Sequence, residues 1–252
     1  MDLFSALGFH WNRATVPGVV PTHSMERVTF GLHRMLDQFV WEACLLEGNP
    51  FTFVEVKTLL DGVTVGGRKI SDHEQVLHLI RSVKHLLARV KAGTFRMDKA
   101  TFTELWGVVT GHDAPRQGHF WGEGIDADCC TRDVGREGVG RCPLAASTAG
   151  ARALNRLFTQ GLQALQSEVP QPFEKAAAFF LFGALHRFLP DANPCTSRFM
   201  MNGILLSAGV DAISIPAAKV QEINDHLVRF YLEREATALM KFLLGCHPDA
   251  LR

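Results

Sequence analysis

Surplus charge of either sign is missing from this sequence. Lys and Arg number 26 and so do Asp and Glu, for a formal net charge of zero, so no global field draws the chain to nucleic acid or to an anionic membrane. Long hydrophobic runs are missing as well. The longest, Ala176 to Leu185, ends in His186 and Arg187 and falls far short of the ~20 residues that cross a bilayer. The first twenty residues carry Asp2, His10 and Arg13 without the basic start and apolar stretch of a secretory leader. Cysteine is scarce and scattered, at Cys44, Cys129, Cys130, Cys142, Cys195 and Cys246. That excludes a disulfide framework and agrees with a reducing compartment. The expectation is a cytoplasmic protein with neither nucleic-acid nor membrane partners. The sequence has no internal repeat and no low-complexity segment.

Apolar mass is ample: 47% of the 252 residues are hydrophobic, enough for one large domain, and the periodicity reads as almost wholly helical. Residues 1–23, with Gly8, Pro17, Gly18 and Pro21, read as an N-terminal arm that is ordered only where it docks. Residues 24–49 read as one helix from Ser24, with Val28, Leu32, Met35, Leu36, Phe39, Val40 and Leu46 on a helical spacing and Gly48-Asn49-Pro50 as its end. Residues 50–252 make up the core. Thr52 and Glu55 form a capping box for a helix through Leu60. Ser71 and Glu74 form a second, opening a long helix with Val76, Ile80, Val83, Leu87 and Val90 inward. A helix over Asp98 to Thr110 stops at Gly111. Residues 111–146 hold seven glycines and three cysteines, a loop or hairpin of a length that is usually functional. Helical patterning returns over Ala151 to Leu165 and over Phe173 to Phe188, the latter apolar on nearly every face and hence central. It continues over Thr196 to Ala208, with Gly209 as the stop, and in one or more helices after Pro216.

The chemistry concentrates where the central helix ends. His186 leads into a tight loop with Asp191 and Asn193, then a helix with Arg198 in its first turn. A helix N-terminus offers unpaired N–H groups and positive dipole, so this loop suits phosphate oxygens. On that reading Asp191 would hold Mg²⁺, Arg198 would clamp a phosphate and His186 would take a proton from an attacking hydroxyl. The residues alone leave a plainer alternative open: a capped core histidine, two turn formers and a solvated arginine.

His186-Arg187-Phe188-Leu189-Pro190-Asp191-Ala192-Asn193-Pro194-Cys195-Thr196-Ser197-Arg198 resembles the Fic domain family signature HPFx(D/E)GNGRxxR, with one extra residue between Phe and Asp. The continuation through Asn202 and Leu205 to Gly209 is similar to the helix that comes next in that family. Leu59 to Arg68 is similar to the turn that opens Fic cores, and Glu47-Gly48-Asn49 resembles the family's (S/T)xxxE(G/N) inhibitory motif. The resemblance implies an all-α fold with a small β-hairpin flap near residues 119–145. It also implies transfer of AMP from ATP, with Mg²⁺, to a Ser, Thr or Tyr hydroxyl of a target protein. In that scheme His186 is the general base, Asp191 the Mg²⁺ ligand, and Asn193, Arg198, Ala192 and Thr196 the nucleotide contacts. Glu47 is the inhibitory residue that pairs with Arg198. A bacterial, cytoplasmic protein is expected, with delivery into a host cell and homo-oligomerisation left open.

Four positions depart from the signature: Arg187 stands for its Pro, Ala192 and Pro194 for its two Gly, and Cys195 for its first Arg. A Doc-like branch that acts as a kinase shares the Asp-Ala-Asn. Pro194 removes an N–H donor, and Cys195 removes a bidentate, permanently charged partner. Ala43 stands four residues before Glu47, where the family has Ser or Thr. The alternative function is therefore a degenerate Fic fold that binds a nucleotide or a protein partner without transfer. Three other constellations are weaker. Cys129-Cys130 with Cys142, Asp126, Asp128 and Asp133 lacks the C-x₂₋₄-C spacing of zinc sites. Cys195 beside His186, read as a nucleophile, has no orienting third residue. Lys84, His85, Arg89 and Lys91 make a basic helix face without interleaved aromatics, which reads as solvated.

Overall fold

The computed structural model describes residues 2–111, 119–123, 133–136, 140–143 and 150–251. Its centre is helix α8 (Pro172–His186), which the sequence builds from a capping Gln171, a proline in the first turn and a run of Ala, Phe and Leu. Every residue from Phe173 to Leu185 except Lys175 is buried. Beside it runs α9 (Asn193–Ser207), at close quarters because Gly183 has no side chain: a Cβ there would lie 2.1 Å from Ser197 Oγ. Around this pair stand α3 (Leu36–Leu46), α5 (Ile70–Lys91) and α6 (Lys99–Thr110) on one side. Helices α7 (Arg152–Glu168) and α1 (Leu3–Leu7) stand on another, and α10 (Val220–Glu233) and α11 (Thr237–Leu244) complete the chain. Phe102, Phe120, Phe158, Phe179, Phe182 and Phe188 meet beneath the α8–α9 connection. The rings of Phe102 and Phe158 stack at 5.7 Å, and Phe158 meets Phe188 edge-on at 4.9 Å. Such pairs stabilise by ~0.5–1.5 kcal/mol beyond the area they bury, and here they anchor the start of the loop that carries Asp191.

Local signals in the sequence are matched where the cap is chemical. In α4 (Phe53–Leu60) the Thr52–Glu55 box is complete in both directions, and Arg68 adds two bonds to Glu55. Asp98 caps α6 and Gly111 ends it in the left-handed region. Other boundaries shift. The expected single helix over 24–49 is two, α2 (Met25–Arg34) and α3, parted at Met35 (φ −100°, ψ 16°). Periodicity does not register the break because Val28 and Leu32 before it and Phe39 and Val40 after it all stay buried. The Ser71–Glu74 box is absent: α5 begins two residues earlier, from Lys69, without a side-chain cap.

The expected N-terminal arm does dock. Asp2 caps α1, and Leu3, Leu7, Phe9 and Trp11 are buried. Glu174 of α8, itself buried, accepts from Trp11 Nε1 at 2.8 Å and from Arg13 Nε and Nη2 at 2.7 and 2.8 Å. His10 N donates to Arg234 O and Ala236 N to His10 O, which stitches the segment to the turn before α11. The glycine-rich stretch contributes a two-stranded antiparallel hairpin, β1 (Asp133–Arg136) and β2 (Gly140–Pro143), with Asp133 opposite Pro143. Cys129, Cys130, Asp126 and Asp128 lie outside the described residues. Among the described residues no helix is long and apolar enough to cross a membrane. On the basic face of α5, His85 and Arg89 both lie against Glu104, at 2.7 and 3.4 Å, so one carboxylate offsets part of that charge.

Candidate functional site

Two left-handed residues fold the loop between α8 and α9: Arg187 (φ 47°), which caps α8, and Ala192 (φ 47°), which precedes α9. Neither is glycine, and each such conformation costs of order 1 kcal/mol for an L-residue, so other bonds must hold the turn. Asn193 supplies them. Its Oδ1 accepts from Leu189 N at 2.8 Å, and its Nδ2 donates to Leu189 O at 2.7 Å and Asp191 O at 3.2 Å. Thr196 Oγ1 donates to Ala192 O at 2.9 Å. Asn193 and Thr196 are both buried, so their side chains brace the loop rather than face outward, and Thr196 Oγ1 is turned back onto its own backbone. Asp191 is exposed, and its Oδ1 accepts from the buried indole Nε1 of Trp106 at 2.7 Å.

Across from the loop stands Glu47, directly after α3. Its Oε1 lies 2.6 Å from Arg198 Nη2, with side-chain exposures of 23% and 12%. Burial works against the charge on Arg198, but the Glu47 carboxylate outweighs it and holds the guanidinium above its ordinary value. Removing one partner of so enclosed a pair strands the other charge. Glu47, Asp191, Ala192 and Cys195 open together with His78 and Thr110 onto a cleft of about 470 Å³. Cys195 is 1% exposed, and burial together with Glu47 pushes its thiol up, away from thiolate. A nucleophilic role for Cys195 is thereby disfavoured.

His186 is half-buried against Phe182 and Phe188, and its Nε2 lies 2.8 Å from Leu7 O. A carbonyl only accepts, so Nε2 carries the proton in this contact and the neutral ring has its lone pair on Nδ1. Four contributors to the site were not read from the sequence. The Leu7 carbonyl and Trp106 act through backbone and through an 85-residue separation. Tyr231, the only tyrosine, lies near Arg187 and Arg198, and burial raises its phenol above the ordinary value despite these two cations. Glu42 is buried in α3 and accepts from Ser214 Oγ, so α3 has a polar anchor one residue before the alanine at 43. A buried acid in an amphipathic helix is the one signal that could have found it.

No family model matches the chain. It is 25% identical over 216 residues to a protein named protein adenylyltransferase Fic of Drosophila grimshawi, covering 85% of this chain and 42% of that protein. It is 26% identical over 216 residues to the protein of the same name from Drosophila mojavensis, covering 85% and 40%. The chain thus spans about two fifths of the length of these curated relatives. Among solved structures it resembles Fic-1 (residues 134–508) of C. elegans, with a TM-score of 0.65, 16% identity and coverage of 88% of this chain and 69% of that one. It also resembles a Fic domain containing signaling protein of Bacteroides thetaiotaomicron, with a TM-score of 0.66, 17% identity and coverage of 96% and 87%. The fold is that of the Fic domain, and the family resemblance is borne out at that level.

Proposed function

We propose that this Fic-fold chain is a protein adenylyltransferase restrained by its own Glu47: it transfers AMP from ATP to a Ser, Thr or Tyr hydroxyl of a target protein. The observation that carries the reading is the 2.6 Å contact of Glu47 with Arg198, in which Glu47 itself lines the cleft shared by Asp191 and the first turn of α9. Arg198, which the sequence placed in the first turn, lies in the second because α9 begins at Asn193; a guanidinium there still reaches back to grip a polyphosphate at the helix N-terminus, and here a carboxylate occupies it. The relatives named adenylyltransferase support the same chemistry.

In the proposed step the hydroxyl oxygen bonds to the α-phosphorus, the bond between the α- and β-phosphates breaks and pyrophosphate leaves. His186 takes the hydroxyl proton at Nδ1 while Leu7 holds Nε2–H. Base catalysis of this kind contributes ~10²–10⁴ in rate. Asp191, an exposed carboxylate with one oxygen held by Trp106, offers the hard oxygen donor that Mg²⁺ takes. That ion, when bound, neutralises polyphosphate charge. Arg198, once released by Glu47, orients the terminal phosphate, and Asn193 and Ala192 fix the loop that presents the N-terminus of α9.

The second reading, a degenerate fold that binds without transfer, is favoured by Pro194 and Cys195, which withdraw one donor and one cation from the cradle. Incubation with labelled ATP and Mg²⁺ separates the two. Glu47→Gly is expected to label itself or an added protein, and Glu47→Gly with His186→Ala to lose label while ATP affinity stays within a few-fold. ATP binding with no transfer in Glu47→Gly would establish the second reading. Absence of both would refute the transferase reading and the nucleotide-binding form of the second.

A further inference from the structure

We propose that His23, Asp211 and Asp249 form a binding site for a zinc-class divalent cation, separate from the cleft at Asp191 and independent of the transferase reading. The three residues come from distant parts of the chain: the segment just before α2, the loop after α9 and the C-terminal turn (Pro248–Leu251). His23 Nε2 lies 3.2 Å from Asp249 Oδ2 and 3.7 Å from Asp211 Oδ2, and one ligand atom from each residue falls within 4.8 Å of the others. Ligands ~2.0–2.1 Å from a tetrahedral ion stand about 3.3 Å apart, so the two distances from His23 are close to those of a coordination shell. One imidazole nitrogen with two carboxylate oxygens suits zinc and its first-row neighbours. Mg²⁺ and Ca²⁺ prefer oxygen alone. Three protein ligands leave a fourth position for water.

Two further features show that the site is built rather than incidental. The backbone holds His23 in place: its N donates to Gly209 O at 2.7 Å. Its own carbonyl lies so near Gly209 (φ 73°) that a Cβ there would sit 2.5 Å away. His247, 1% exposed, lies under the influence of both Asp211 and Asp249. Its Nδ1 accepts from Asp249 N at 3.2 Å, which leaves the proton on Nε2, and that buried donor has no hydrogen-bond partner. A stranded donor costs ~1–3 kcal/mol. Arg27 Nη1, 3.5 Å from Asp211 Oδ2, is 45% exposed and can turn to solvent when a dication takes over its role.

The test uses the full chain stripped with EDTA, titrated with Zn²⁺ by calorimetry and with Co²⁺ by visible absorption. One ion per chain is expected, with the intense bands of a low-symmetry Co²⁺ site and a raised thermal midpoint. His23→Gln, Asp211→Asn and Asp249→Asn should each weaken binding at least about tenfold, and Arg27→Gln should tighten it. Circular dichroism of the metal-free variants checks that they remain folded. No saturable uptake by the wild-type chain, or uptake unchanged in the triple variant, would overturn the proposal and leave His23 as an imidazole shared by two carboxylates.

Discussion

Replacing Glu47 by glycine removes the carboxylate on Arg198, and the enclosure of that pair sets the cost. The guanidinium is 12% exposed and loses a 2.6 Å charge-assisted bond. A fully buried pair broken on one side costs ~3–5 kcal/mol. Here the Glu47 side faces a water-filled cleft, so the expected loss is about 2–3 kcal/mol. For a chain of this size each kcal/mol moves the thermal midpoint by ~2–4 °C, which places the metal-free, nucleotide-free variant about 4–12 °C below wild type. Thermal melts are then repeated with ATP and Mg²⁺. At a hundredfold excess over Kd a ligand returns ~2.7 kcal/mol, so the glycine variant should regain most of its loss while wild type, in which ATP must first displace Glu47, moves much less. A variant that melts like wild type and responds to ATP like wild type would refute the reasoning. A destabilised variant with no ATP response would show that the pair is structural and that Arg198 is not an anion site.

Trp106→Phe removes the indole donor to Asp191 Oδ1 and is expected to cost about 1–3 kcal/mol in urea denaturation, with a raised Mg²⁺ requirement for nucleotide binding in calorimetry. An unchanged requirement would mean that the indole does not set the carboxylate's position. Glu55 is held down to about 2 from its ordinary 4.5, chiefly by Arg68 and then by Thr52. Its contribution is therefore fully present above pH 4.5 and is lost as pH falls toward 2. The urea midpoints of wild type and Glu55→Gln should converge over that window, and a constant gap would count against the ion pair. Pro194→Gly with Cys195→Arg should tighten ATP binding at least about tenfold, ~1.4 kcal/mol, when Glu47→Gly is also present. The gain should be smaller with Glu47 intact, because Glu47 already interacts with position 195 and would pair with the new guanidinium. Equal affinities in isothermal titration would show that this loop does not hold phosphate through residue 195.

Helices whose ends are chemical were legible in the sequence: Thr52 with Glu55, Asp98 with Gly111, and the apolar face of α8 all declare themselves within a few residues. The misplaced boundaries lie where the deciding term is tertiary. Met35 breaks a helix without moving its buried face, and Lys69 opens α5 with no side-chain cap, so neither leaves a local mark. In the loop, spacing pointed to His186, Asp191, Asn193 and Arg198 as a group, and the fold does bring Glu47 to Arg198 from 151 residues away. The partners Trp106, Tyr231 and the Leu7 carbonyl stayed hidden because nothing in their own neighbourhoods marks them, and a backbone acceptor has no residue identity to read. Residues 1–23 had too few periodic positions to predict their docking, which combines the buried Leu3, Leu7, Phe9 and Trp11 with the bonds of Trp11 and Arg13 to the buried acid Glu174.

The loss of arginine at 195 alters what the Glu47 contact means. In an intact signature a second guanidinium in the first turn of α9 would still meet a polyphosphate while the other was occupied. Here position 195 carries a buried thiol whose pKa is raised, and Arg198 is the only cation in residues 193–200. Glu47 therefore engages all the side-chain positive charge that this stretch offers. A restraint of about 2–3 kcal/mol lowers apparent nucleotide affinity by about 30- to 150-fold, with no second cation to soften it. Silence of the wild-type chain in a labelling assay is thus what the restraint alone produces, and it carries no weight for a degenerate site. Only the Glu47→Gly background, where Arg198 is released and the loop is otherwise unchanged, asks whether Pro194 and Cys195 have abolished the chemistry.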